Sequence, residues 1–300
     1  MENKKVIIWG HKNNGHTHSY IHKSYYKAFQ YLGYETYFFE DGDIGQLSGF
    51  NFENCIFFTE DQVQKNIPLV KSSKYILHHT NLEKYNDAGI SYIQLGNYLR
   101  YCEDGVSGYY KNDTVERIDS CSFWDDKNKI IYQPWGTDLL PHEIDLEEPL
   151  IFDPSRKDIF YIGTLYEDLH SKFQTIRESV QKLGLSFRIS TNLSYEDNRK
   201  EIKDSLISFD VRNDWHQECG YLPCRIFKNT SYGRFTTTNS QYVKNILGDF
   251  VHYEPDLNYI IESSIDAQSK TDRKLITDSM NFIKENHTYV NRIKNLIQLL

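Results

Sequence analysis

Short apolar runs, each closed by glycine or a polar loop and followed by a stretch with helical spacing, recur along this chain and leave few architectures open to it. Val6-Ile7-Ile8-Trp9, ending in Gly10, is the first. Continuous apolarity suits a strand covered on both faces, as in a parallel sheet, rather than one with a wet face. A polar loop and a helix from about Tyr20 to Leu32, closed by Gly33, follow it. Further strands are predicted over residues 36–39, 54–59, 74–78 and 91–95, with helices or loops between them. The result is an open α/β sheet.

Residues 97–128 are polar, irregular and rich in Tyr, and give no periodic signal. A strand over 130–133 then runs into Pro134-Trp135-Gly136-Thr137-Asp138, and an acidic linker follows. A second α/β series begins with a strand over 159–162, the loop Gly163-Thr164 and a helix over 169–183 closed by Gly184. Strands over 187–190 and 207–212 flank a helix over 195–205. From Leu275 onward, apolar residues fall at helical spacing. Two domains are therefore expected, 1–150 and 151–300, with the terminal helix packing back on the first.

The stretch Tyr221 to Ser240 carries the most chemistry. Pro223 suits a first helical turn, where its missing N–H costs nothing. Arg225 and Lys228 then lie one turn apart, with Asn229 beside them, near the positive end of the helix dipole. Cations and free N–H groups together predict an anion site for a phosphate or diphosphate. The formal charge of −8 argues against broad nucleic-acid binding, which rests on neutralising phosphates; no nucleic-acid partner is expected. Five cysteines, odd in number and without C-x-x-C pairing, suggest neither a disulfide framework nor a zinc ribbon and fit a reducing, cytoplasmic-type compartment. The first apolar run is too short for a signal segment or a membrane span.

In its order of elements the chain resembles the glycosyltransferases of the GT-B fold, in which two Rossmann-like domains face each other across a cleft. Pro134 to Asp138 is similar to the P-x-G-x-D turn closing their first domain, and Phe160 to Thr164 to the strand and glycine loop opening the nucleotide-sugar domain. Arg225, Phe227 and Gly233 resemble the R-x-F-x(5)-G donor helix of the spore-maturation-type branch of group 1 transferases. That branch commonly has Glu after the Phe, where this chain has Lys228. The resemblance implies transfer of a sugar from a UDP- or GDP-sugar to a hydroxyl acceptor, a glycan or glycoconjugate. No further cofactor and no metal are implied. A cation at Lys228 favours a diphosphate as leaving group and a direct, inverting displacement. A non-catalytic sugar-nucleotide-binding scaffold and a nucleotide-sugar epimerase are the alternatives.

Ligands of open α/β sheets bind outside the C-terminal ends of the strands. On that side lie His11, His16, His18 and His22 in and after the first loop, with His16 and His18 the preferred bases for an acceptor proton. Glu60 and Asp61, ending another strand, offer a carboxylate instead. In the second domain Gly163, Thr164, Arg188, Arg212 and Asn213 sit at strand ends and are candidates for the nucleotide. Trp135 and Trp215 are candidates for stacking. Gly10 to Thr17 misses a phosphate-binding G-x(4)-G-K-[ST] loop because His16 replaces the lysine. Asp41-Gly42-Asp43 spells the D-x-D of metal-dependent transferases but fits a turn equally. His16, His18, His78 and His79 lack partners at fixed metal-ligand spacing.

Overall fold

Val6, Ile7, Ile8 and Trp9 are all fully buried. They form β1 (Lys5–Trp9), which pairs in parallel with β2 (Glu35–Phe39) on one side and β3 (Ile56–Glu60) on the other. The computed structural model describes residues 5–12, 17–78, 81–99, 115–165 and 168–300. These divide into two compact units, Met1–Leu140 with Tyr289–Leu300, and Pro141–Thr288.

In the first unit β4 (Lys74–His78) and β5 (Ser91–Gly96) continue the parallel sheet beyond β3. The described residues add β6 (Val115–Arg117), β7 (Phe123–Asp125) and β8 (Ile130–Tyr132), giving the order β2-β1-β3-β4-β5-β8-β7-β6 with antiparallel pairing at β6, β7 and β8. β6 and β7 fall within residues 97–128, which carry no periodic signal. At three residues each they are too short to show alternation, and a turn chemistry closes them: buried Asp125 accepts hydrogen bonds from Asn128 N (3.1 Å) and Nδ2 (2.7 Å).

Asp41-Gly42-Asp43 opens a 3-10 turn, Asp41–Gln46, directly after β2. Asp41 accepts from Trp9 Nε1 (3.0 Å) and from the backbone N–H of Lys65 (2.6 Å) and Asn66. Asp43 is ion-paired with Lys12 and accepts from Glu40 N at 2.9 Å. Both carboxylates therefore pin loops to β1 and β2, the structural use of a D-x-D sequence.

The helix Tyr289–Ile297 belongs to the first unit, packed on the helix Thr17–Tyr31, with the Tyr25 and Tyr289 rings 4.7 Å apart. Its Arg292 is fully buried, donating from Nε to Pro134 O (2.9 Å) and from Nη2 to Trp135 O (3.3 Å). The Pro134–Asp138 turn is thus held through its carbonyls by the last helix.

The second unit has two parallel ladders. β9 (Asp158–Ile162) pairs with β10 (Ser186–Ser190), and β11 (Ser208–Asp210), β12 (Thr236–Thr238) and β13 (Val251–Tyr253) pair in that order. Leu206 N donates to Asp158 O at 2.7 Å, which sets β11 alongside β9. The helix Leu169–Lys182 covers this sheet with Leu169, Phe173, Ile176 and Val180, spaced on one face and packed on Ile159, Tyr161 and Phe209. Among the described residues no helix is long and apolar enough to cross a membrane.

Arg292→Ala removes both carbonyl partners of the Pro134 turn. A loss of about 1–3 kcal/mol for each carbonyl left buried is expected in urea unfolding; a change under about 0.5 kcal/mol would show that the turn stands without the helix.

Candidate functional site

In both units the strand order reverses around the first strand of the series. The chain passes from β1 to β2 on one side and later to β3 on the other, and likewise from β9 to β10 and then to β11. Such reversals leave a crevice at the C-terminal strand ends, because successive connections leave in opposite directions. The polar clusters of this protein lie at these two points.

In the second unit the centre is Asp210, the last residue of β11 and fully buried. Its Oδ1 accepts from Arg212 Nη2 at 2.6 Å and from Arg225 Nη1 at 2.9 Å. Tyr161, on β9, accepts from the same Arg225 nitrogen at 2.6 Å and from Arg212 Nη2 at 3.3 Å, while donating to Val211 O at 3.3 Å. The Arg225 guanidinium lies 4.2 Å from the Tyr161 ring centre, and its Nε donates to Ile162 O at 2.8 Å. Burial opposes the charge on Arg225, but Tyr161 and Asp210 outweigh it and hold its pKa above the ordinary value. Asn239 clasps Arg212 from behind, accepting from its N–H (2.7 Å) and donating to its carbonyl (3.1 Å).

Two guanidinium groups around one carboxylate leave one net positive charge. Several atoms in this cluster stay open. Asp210 Oδ2 and Arg212 Nε are buried without a hydrogen-bond partner among the described residues, as is His216 Nδ1 nearby. Arg225 donates from Nε and Nη1, and its Nη2 lies against Gly163, where an added Cβ would overlap it. Gly163 also has φ +152, so the loop after β9 is shaped by the absence of a side chain. A guanidinium edge, a bare backbone loop and the start of the helix Cys224–Ser231 together offer what a diphosphate needs.

The sequence candidates divide accordingly. Gly163, Arg212 and Arg225 come together, and Thr164 is exposed in the same loop. Lys228 and Asn229 do not present a charged surface: each is only 5 % exposed, and Lys228 is not a partner of Asp210. Both lie on the helix Cys224–Ser231 with Ile226 and Phe227, most of which is buried. Arg188 lies outside it, exposed on β10, ion-paired with Glu201 and 4.7 Å over the Phe160 ring. Trp215 is exposed, next to His216, which stacks on Tyr221 with centroids 4.6 Å apart. Sequence reasoning missed Asp210, Tyr161 and Asn239. The available signal was Asp210, an acid inside the apolar strand Ile207 to Val211 that demands a buried cation.

In the first unit, His11 follows β1, Glu60 ends β3, and His18 lies in the first turn of the helix Thr17–Tyr31. His11 Nε2 is 3.1 Å from Glu60 Oε2, and the His18 ring lies 5.8 Å from that of His11 and 5.0 Å from that of His78. Burial raises the pKa of Glu60, partly offset by Gln62 N–H and His11. Asp61 turns away, ion-paired with Lys84 at 2.9 Å. Glu60 is the carboxylate that lies beside the histidines. His16 and His79 lie outside the described residues. Trp135 packs edge-on against His78 as a core residue, 2 % exposed.

No protein-family model matches the sequence, and no curated protein matches it. Solved structures do. An α-glucosyltransferase in complex with UDP and a 13-mer DNA containing a HMU base is similar with TM-score 0.61 and 10% identity, over 98% of this chain and 98% of that one. The two chains share one fold over nearly their full lengths. A second α-glucosyltransferase structure, in complex with UDP, gives TM-score 0.56 and 10% identity over 96% of this chain and 95% of that one. The exclusion of nucleic acid is overturned by the DNA-bound transferase, a similar structure that holds a 13-mer DNA. Phosphates are neutralised by the cations that touch them, and a sum over the chain does not report where those lie.

Burial, and then the positive charge of Arg212, lowers the pKa of His216 from 6.5 to about 4. Between those values the unfolded chain binds a proton that the folded one does not, so stability falls as pH drops from 6.5 towards 4. His216→Asn is expected to flatten this part of the stability–pH curve. An unchanged slope in urea titrations across that window would contradict a buried, neutral His216.

Proposed function

We propose that this protein transfers a sugar from a nucleotide-diphosphate sugar, with UDP as the carrier, to a hydroxyl acceptor. The observation that carries the reading is the single net positive charge around Asp210, with Arg225 Nη2 against the bare backbone of Gly163 and with Asp210 Oδ2 and Arg212 Nε lacking a hydrogen-bond partner among the described residues. Cleavage of the bond to the diphosphate builds negative charge on the leaving oxygens. A fixed guanidinium favours that developing charge more than the ground state, and so accelerates the step. Asp210 and Tyr161 hold Arg225 in place before substrate arrives, so no reorganisation is needed as charge appears. Donor binding through this cluster requires no metal ion.

The acceptor hydroxyl must lose a proton, and the group His11, His18 and Glu60 is the candidate to govern it. Base-assisted direct displacement inverts the anomeric carbon, so the product's configuration, read by NMR, is expected to be opposite to that of the donor. Retention would remove the base assignment. Because a similar α-glucosyltransferase is bound to a 13-mer DNA with a HMU base, a hydroxyl carried on DNA is the acceptor to try first.

The test is release of free nucleotide from a panel of UDP- and GDP-sugars in excess EDTA, with and without DNA bearing hydroxymethylated bases. Turnover is expected with a UDP-sugar. Arg225→Ala is expected to lower it by roughly 10²- to 10³-fold, with thermal melts checking that the fold survives. Near-wild-type turnover in that variant would contradict the role given to the cluster.

A further inference from the structure

We propose that His11, His18 and Glu60 form a site for a divalent transition-metal ion of the zinc class. One ligand atom from each lies within 4.8 Å of the other two. The tightest pair, His11 Nε2 and Glu60 Oε2, is 3.1 Å apart. That is close to the ~3.3 Å separating two ligands on a tetrahedral zinc with bonds of roughly 2.0–2.2 Å. His18, in the first helical turn, completes the set by a small rotation of its ring.

The three residues come from three elements, and the surrounding chain fixes them. Glu60 is fully buried, and its other oxygen accepts from Gln62 N–H at 2.8 Å, which turns Oε2 towards the histidines. Such outer hydrogen bonds orient metal-binding carboxylates. The His11 backbone N–H donates to His22 Nδ1 at 2.9 Å, and His22 fits there because Gly10 has no Cβ: one would overlap its ring. The His11 side chain is 15% exposed against 0% for Glu60, so a buried carboxylate forms the floor and an imidazole the rim.

The donor set selects the ion. Two imidazoles and one carboxylate suit zinc and its neighbours, whereas magnesium and calcium take mostly oxygen ligands. Three protein ligands leave a fourth position open, the pattern of a site that receives a further ligand rather than one that only staples the fold. The inference stands on these residues and does not depend on the donor reading, since it concerns the metal alone.

The full chain, stripped with chelator and titrated with Co²⁺ in place of Zn²⁺, is expected to take up one ion with visible ligand-field absorption. Zn²⁺ should displace it. His18→Ala and Glu60→Gln are expected to weaken binding by at least about 10-fold. Circular dichroism checks both folds. Since Glu60 is buried, the partly exposed His18 keeps the test decisive if Glu60→Gln does not fold. Wild-type protein that takes up no more Co²⁺ than His18→Ala, or variants that bind like wild type, would overturn the site. Metal uptake and nucleotide release are read separately: the three side chains can take the acceptor's proton only in the metal-free state that EDTA maintains, so the two results are distinguishable.

Discussion

The contact between the Asp210 carboxylate and the guanidinium groups of Arg212 and Arg225 is the interaction on which the second unit's chemistry depends. Taking three charges out of water costs several kcal/mol per ion, and only good geometry with further hydrogen bonds recovers it. The structure supplies them: Tyr161 bridges both arginines, Asn239 clasps the Arg212 backbone, and Ile162 O takes the Arg225 Nε proton. What remains among the described residues is one uncompensated positive charge, with Arg225 Nη2 against the backbone of Gly163. A buried network of this kind is a poor way to gain stability, because an apolar core of equal volume does as well. It is a good way to fix a cation in one orientation.

Why it sits where it does follows from the chain path. A parallel strand must be followed by a crossover, and when successive crossovers take opposite sides of a sheet, the strand ends between them stay uncovered. β9 and β11 meet in that way, as do β1 and β3. The loops after β1 and β9 both carry a glycine in close contact with a side chain, Gly10 with His22 and Gly163 with Arg225. In each case the missing Cβ lets a polar group approach the backbone. The two units thus solve one topological problem with different chemistry, imidazole and carboxylate in the first, guanidinium in the second.

Much of this was legible in the sequence. Long apolar runs such as Val6 to Trp9 announce parallel strands, and Gly163 and Arg225 stand out by their places at a strand end and a helix start. Three-residue strands such as β6, β7 and β13 do not, because alternation needs more residues to register. Lys228 shows what the pattern leaves out: helical spacing tells which residues share a face but not whether that face is wet, and Lys228 is buried. Asp41-Gly42-Asp43 misled less, since a turn was always the alternative, and both acids are held by backbone N–H groups or a lysine. Net charge misled most. It is a sum, whereas a nucleic-acid partner is met locally.

The central claim is that the diphosphate of the donor meets the Nη2 edge of Arg225. A crystal structure of the protein with UDP bound tests it most directly. The account predicts a phosphate oxygen at hydrogen-bond distance, about 2.7–2.9 Å, from Arg225 Nη2 and beside the bare backbone of Gly163, with Asp210 still paired to both arginines. UDP bound away from the Gly163 loop, or with Arg225 donating only to Tyr161, Ile162 and Asp210, would contradict it.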